Sequence, residues 1–309
     1  MGGDLWAGGL RANVPGPGHG AADRSVSLLL VGDRVVIHCF AGDDWRAVQA
    51  ELVDLALVDG RGRLLGGARG GAVRTEALPR TLRTAAARAL WDEGRPPDGT
   101  LSERHMRLRG LVGPPPDDLR HHPAVAASIY AGEGPRRPAL LAAIRDPSGE
   151  LQGVEVTYLA PNGWRARVRT PRKTVGSCPA GSAVRLFAPG PRLLVGEGVF
   201  TCLAAARWFR LPAWALLSTR NLRAWRPPPG VRFVLIAADR GADGERSARA
   251  LASGLGDAGV GWALRLPPAP SGDWDEAAAA ARAAEEGEGR VRAGAADGWS
   301  GSPARRPAP

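Results

Sequence analysis

The chain has 309 residues, 44% of them hydrophobic and 23% charged, and a formal net charge of +10. No apolar run approaches the ~20 residues of a membrane span, and the three scattered cysteines, Cys39, Cys178 and Cys202, cannot staple a disulfide scaffold. Lys173 is the only lysine among 41 basic residues, and no GxxxxGK[ST] segment occurs, which excludes a P-loop ATPase or helicase within this sequence.

The charge is unevenly placed. Residues 1–60 sum to −4, residues 61–185 to +10 and residues 186–309 to +4. Arginine-rich coding bias accounts for a high total but not for its concentration in the middle, which suits a polyanion track. Met1–Leu10 lacks the basic start and apolar core of a secretory signal. The expectation is a reduced, cytoplasmic protein with no membrane partner.

In chain order, residues 1–12 read as frayed. Ser25–Leu30 and Arg34–Phe40 read as strands around a Gly32-Asp33 turn. Asp44–Leu57 reads as a helix, with Trp45, Val48, Leu52 and Leu55 at helical spacing. Residues 59–79 are rich in glycine and arginine and read as a linker. Thr81–Trp91 is the next helix. Thr100 caps another that runs through Leu108 and stops at Gly110. Residues 113–137 read as Pro-rich and irregular. Ala139–Arg145 and Leu151–Leu159 are predicted strands around the turn Asp146-Pro147-Ser148-Gly149. Arg165, Arg167 and Arg169 alternate along a further predicted strand.

From Arg192 the pattern becomes strand–helix alternation. Strands are predicted at Leu193–Val195, Ala213–Leu217, Val231–Ala238 and Gly261–Leu266. Helices follow them, through Trp208, around Leu222, over Asp243–Ala258 and over Trp274–Ala284. Short apolar strands between helices imply a parallel-rich sheet buried on both faces. Residues 284–309 read as a disordered tail.

Ligands of open α/β sheets gather at the carboxyl ends of the strands. Glu197 follows the first of these strands, Asp239 the third, and Asp273, Asp275 and Glu276 the fourth. Carboxylates converging on one sheet edge suit Mg²⁺, a hard cation that prefers oxygen ligands. The competing reading is that they are helix caps and turn residues. It is weakest for Glu197, because Glu is a poor cap.

The segments Leu193–Gly198, Ile236–Asp239 and Gly272–Asp275 together resemble the Toprim domain, which is shared by DnaG-like primases, topoisomerases and some nucleases. Upstream, Ala143–Val154 resembles the Arg-Asp strand segment that precedes Toprim in primases, Pro171–Gly176 occupies the place of their basic motif, and Gly99-Thr100 with Leu108–Gly110 resembles a helix of phage- and plasmid-type primases. The likeness covers roughly residues 14–57 and 81–283. It implies an α/β fold in which a Toprim-type parallel-rich sheet with helices on both faces, 191–283, follows a basic α+β primase-like region, 80–190. A small β-rich, zinc-ribbon-like N-terminal module, 1–58, precedes both.

The resemblance also implies a function: Mg²⁺- or Mn²⁺-dependent synthesis of short RNA primers from nucleoside triphosphates on single-stranded DNA, with a separate replicative helicase as a further partner. Glu197 and Asp239 are then the catalytic residues and, with Asp273 and Asp275, the metal ligands. Arg145, Arg165, Arg167, Arg169, Arg172 and Lys173 are the implied contacts to nucleotide or nucleic acid.

The chain departs from the pattern in three places, one of them Phe200, which stands where relatives of this type often carry a second acidic residue. The Asp-x-Asp of the family is here Asp239-Arg240-Gly241. Asp243 stands two residues beyond Gly241, and Arg240 sets a positive charge beside the proposed cation, which opposes metal binding. The cysteine and histidine pairs of zinc-bearing relatives are also absent. His19, His38 and Cys39 remain, too few for a closed site of roughly four ligands, which argues against zinc. Two other readings therefore stay open: a Toprim nuclease using the same carboxylates, disfavoured by the Arg145-Asp146 segment, and a catalytically degenerate DNA-binding remnant of a mobile element.

Overall fold

The computed structural model describes residues 4–6, 10–20, 23–40, 44–65, 78–111, 113–130, 132–168 and 170–297, with side chains from residue 10 through residue 285. Arg169 lies outside them. Contacts divide the chain into two compact units, Met1–Ala77 and Leu78–Pro309.

The first unit is a four-stranded antiparallel sheet, β1 (Asp4–Trp6), β2 (Arg11–Val14), β3 (Val26–Val31) and β4 (Arg34–Cys39), in that order. One helix, α1 (Trp45–Asp54), is capped by the Asp44 carboxylate, which accepts from the Arg46 N–H. Val14, Val26, Val48, Leu52 and Val58 form its core. Trp45 and Leu55 have helical spacing but remain exposed. Residues 4–6, 10–12 and 59–65 depart from the sequence expectation. Arg11–Val14 pairs with β3 along its length, and Asp59–Leu65 is bonded back onto the unit through Val35 N–H to Gly62 C=O and Leu64 N–H to Asp33 C=O. Backbone groups of polar, glycine-rich segments bond as well as any others, so composition alone does not make a linker.

In the second unit, α2 (Arg80–Glu93) and α3 (Leu101–Leu108) precede an antiparallel sheet of β5 (Leu119–Ser128), β6 (Glu133–Arg145), β7 (Leu151–Tyr158) and β8 (Arg172–Gly176). Ala87 and Trp91 of α2 pack with Leu141, Val154, Val156 and Val175 of this sheet. The Pro-rich stretch expected to be irregular is thus mostly strand. Pro123 is accommodated where the β5–β6 register shifts, between His122 and Val125, because proline cannot donate to the ladder. His121 and His122 are buried, each 4% exposed. Their rings bond to the Ser102 hydroxyl and the Glu93 carboxylate. The Thr100 hydroxyl accepts from the N–H groups of Ser102 and Glu103 and so caps α3. Thr100→Ala is expected to lose about 1 kcal/mol, measured as a lower urea midpoint with an unchanged slope.

A second sheet follows in the order β13-β12-β10-β11-β9. β10 (Arg192–Gly196), β11 (Ala213–Ala215), β12 (Phe233–Ala237) and β13 (Gly261–Arg265) are parallel, and the short β9 (Val184–Arg185) runs antiparallel at the edge. One core lies under α4 (Val199–Phe209) and includes Leu194, Leu235 and Trp274. The other lies under α5 (Thr219–Ala224) and α6 (Ala242–Asp257) and includes Val195, Val234, Ile236 and Leu251. Alternate residues of the same strands enter the two cores, so every inner strand position is apolar, as the sequence showed. Trp214 and Trp225 are core residues, whereas Trp164 and Trp208 are about half exposed. The last helix, α7 (Trp274–Asp297), extends well past Ala284. Its alanine, glutamate and arginine run favours helix where low hydrophobicity suggested disorder. Among the described residues, no helix is long and apolar enough to cross a membrane.

Candidate metal and nucleic-acid site

β10 and β12 are adjacent and parallel, and both end at the same edge. Glu197 directly follows β10, and Asp239 lies two residues beyond Ala237, the last residue of β12. Gly196 permits this convergence: a Cβ there would sit 2.8 Å from the Ala237 carbonyl oxygen and 3.0 Å from Cys202 Sγ. Asp273 is brought alongside by a backbone bond from Arg240 N–H to Gly272 C=O, 2.8 Å.

Asp239 is the most perturbed of these carboxyls. Burial pushes it up to about 7, aided by the charges of Asp273, Glu197 and Glu276. Its Oδ1 is buried with no hydrogen-bond partner. Burial and the Asp243 charge likewise raise Glu197, and Arg172 opposes them. Both groups favour a neutralising ligand. Arg172 belongs to β8, so the basic region and the strand edge meet at Glu197. Its Nε also lies 3.9 Å from Glu155 Oε2, a largely buried carboxylate absent from the sequence reading.

The Arg240 guanidinium is engaged by the chain itself, donating two bonds to the Pro267 carbonyl, at 3.1 and 2.8 Å. Asp243 is less available than its position suggested. Arg223 Nη2 lies 2.5 Å from its Oδ1, and although burial would raise its pKa, the Thr219 hydroxyl and Arg223 hold it below the usual carboxylate range.

Asp273 and Glu276 also serve the helix. Asp273 Oδ1 accepts from Glu276 N–H, and Glu276 Oε2 accepts from Gly272 N–H, a reciprocal cap of α7. Asp275 is placed elsewhere, in an ion pair with Arg109 at the end of α3. Arg109 lies 4.6 Å over the Phe200 ring. Arg109 is a contact that the sequence reading did not assign. Only the Arg-Gly helix ending of α3 pointed to Arg109.

The basic residues separate similarly. Arg172 and Lys173 are neighbours on a strand and point to opposite faces. Lys173 Nζ bonds to the Ala127 carbonyl and lies 4.9 Å over the Tyr158 ring, away from Glu197. Arg145 Nε donates to buried Asp118 at 2.7 Å. Arg165 and Arg167 form no strand. Arg165 makes an isolated bridge to Leu159 near Arg172, Arg109, Glu155 and Asp275, and Arg167 is exposed.

Among the described residues, no group of three or more His, Cys, Asp or Glu side chains is drawn together as a metal cage. The donors nevertheless fit a hard cation in kind: they are carboxylate oxygens, one of them buried and unpartnered, at the carboxyl edge of a parallel sheet.

A parallel sheet carrying acidic groups at that edge is the Toprim arrangement, and residues 192–284 match the Toprim domain family. Residues 192–284 thus carry a Toprim domain. Residues 81–186 match a domain of unknown function, DUF7146. Among solved structures, the chain is similar to the primase fragment of the bacteriophage T7 primase-helicase protein, with 15% identity over 89% of this chain and 97% of that one, TM-score 0.41. It is also similar to the DnaG catalytic core, with 17% identity over 64% and 74%, TM-score 0.44. A DNA primase domain from Pseudomonas aeruginosa gives 17% identity over 64% and 74%, TM-score 0.40. No curated protein matches the sequence.

Proposed function

We propose that this chain is a primase-like nucleotidyltransferase that makes short RNA primers on single-stranded DNA from nucleoside triphosphates, with a separate replicative helicase as its partner. The observation that carries this reading is the half-buried Asp239 carboxylate, whose Oδ1 is buried and unpartnered, beside Glu197 and Asp273, with Arg172 next to Glu197. Glu197, Asp239 and Asp273 are the residues that would hold Mg²⁺ or Mn²⁺. The bound cation supplies charge neutralisation at the reacting phosphate. Glu197, with its raised pKa, is suited to take the proton of the attacking 3′-hydroxyl. Arg172 balances the charge of the triphosphate, and Arg165, on the same side, extends that positive surface toward the template. Arg167 and Arg169 belong to the same basic segment and are assigned to the template backbone.

A second reading, a Toprim protein that binds DNA without catalysis, is favoured by Gly241 in place of the second Asp and by the ties of Asp243 to Arg223 and Arg246. Primer synthesis on single-stranded DNA with labelled nucleotides, run with Mg²⁺, with Mn²⁺ and with chelator, separates them. Metal-dependent RNA products are expected, and binding without product in every condition would select the second reading. In the same assay Glu197→Gln is expected to lose synthesis roughly 10²–10³-fold while retaining DNA affinity. Full synthesis by this variant would remove Glu197 from the site.

A further inference from the structure

The edge of the mixed sheet opposite the carboxylates, a strand's length away and on the order of 15 Å, holds a cavity of about 760 Å³. Met106 of α3, Leu203 of α4, Leu211 and Phe187 line it. Pro114–Pro116 form another part of the lining. Their fixed φ angles stiffen this segment and keep it from collapsing onto the apolar surface opposite. The volume lies within the range of small-molecule pockets, roughly 300–1,000 Å³.

Arg107, Arg207 and Arg210 line the same cavity against a single acid, Glu103. Glu103 is paired with Arg107, and Arg207 donates to the Gly110 carbonyl. Arg210 is different. It ends α4 in the left-handed conformation, φ 51°, where glycine is free of strain and arginine is not. Among the described residues its guanidinium has no acid or carbonyl partner. An arginine kept at a strained position, unpaired and beside an apolar cavity, leaves a cationic group for a ligand.

We propose that this cavity binds a small organic anion with an apolar body. The body lies on Met106, Leu203, Leu211 and Phe187. The carboxylate, phosphate or sulfonate head meets Arg210, whose planar fork suits oxyanions, with Arg107 as the second cation. None of these residues belongs to the carboxylate site, so the inference does not depend on primer synthesis.

The test is fluorescence titration of the full chain with 8-anilinonaphthalene-1-sulfonate, an aromatic sulfonate of suitable size. Arg210→Glu is expected to weaken binding at least tenfold. Leu211→Trp, which projects a larger ring into the apolar part of the cavity, is expected to weaken it at least tenfold as well. Decanoate or 1-naphthoate should displace the dye, the first identifying an aliphatic body and the second an aromatic one, whereas decanol at equal concentration should not. The same dye affinity in both variants, or displacement by decanol as readily as by the two anions, overturns the proposal. If circular dichroism shows Leu211→Trp misfolded, the exposed substitution Arg210→Glu decides alone: tenfold weakening supports the site and unchanged affinity overturns it.

Discussion

Asp239→Asn is expected to remove primer synthesis and, at the same time, to stabilise the fold above neutral pH. Burial pushes the wild-type carboxyl up to about 7 in the folded chain, from an ordinary 3.8 when unfolded. Between those values the folded state binds the proton more tightly, so stability falls as pH rises through the interval and stays reduced above it. Three pH units correspond to about 4 kcal/mol, an upper figure because neighbouring acids share the effect. An amide has no such ionisation, so the variant should show a much flatter profile of urea midpoint against pH from 4 to 8. Divalent cation should raise the wild-type midpoint at pH 8, by about 2.7 kcal/mol at a hundred times its dissociation constant, and should leave the variant nearly unchanged. A variant with the wild-type pH profile would show that Asp239 is not the strained group. A wild-type protein insensitive to Mg²⁺ and Mn²⁺ would argue that this edge does not take a cation.

Arg145→Ala is expected to lower stability by about 3–5 kcal/mol, because it leaves a charge buried and unpaired. The Asp118 side chain is 4% exposed. It accepts from Arg145 Nε through one oxygen and from the Arg185 N–H through the other, at 2.7 and 3.0 Å. Arg145 N–H and C=O bond in turn to Ala183, so the pair fastens the end of β6 in the antiparallel sheet to β9 of the mixed sheet. Burial raises the Asp118 pKa and Arg145 restrains it. Urea denaturation measures the loss, and the double variant Arg145→Ala/Asp118→Asn should recover part of it. If Arg145 instead reaches nucleic acid, the single variant would unfold at nearly the wild-type midpoint and bind single-stranded DNA more weakly.

The two expected results rest on different kinds of information. Glu197 and Asp239 were legible because each follows a short apolar strand, and the rule that ligands gather at strand carboxyl ends turns that local pattern into a place. The same alternation gave the parallel sheet, since continuous apolar strands between helices have few other ways to bury both faces. Thr100 was legible as a cap because capping acts over three residues or fewer.

What the tertiary structure decided is which partner each polar group takes. Arg145 and Asp118 are 27 residues apart, and Arg109 and Asp275 are far apart in sequence. No periodicity in either segment announces the pairing, because an ion pair is set by where two backbones pass each other. Position alone assigned Arg145 and Asp275 to the nucleic-acid and metal site, and the fold engages both in ion pairs instead. Arg172 and Lys173 look equivalent in sequence, yet β8 pairs with β7 in a register that turns one toward Glu155 and Glu197 and the other toward Tyr158. The sequence by itself determined the alternating strands and helices from Arg192 onward and the acidic edge, all products of short-range patterning. The carboxylate strain at Asp239 and the division of the arginines between bracing and binding arise from long-range packing, which no local pattern encodes.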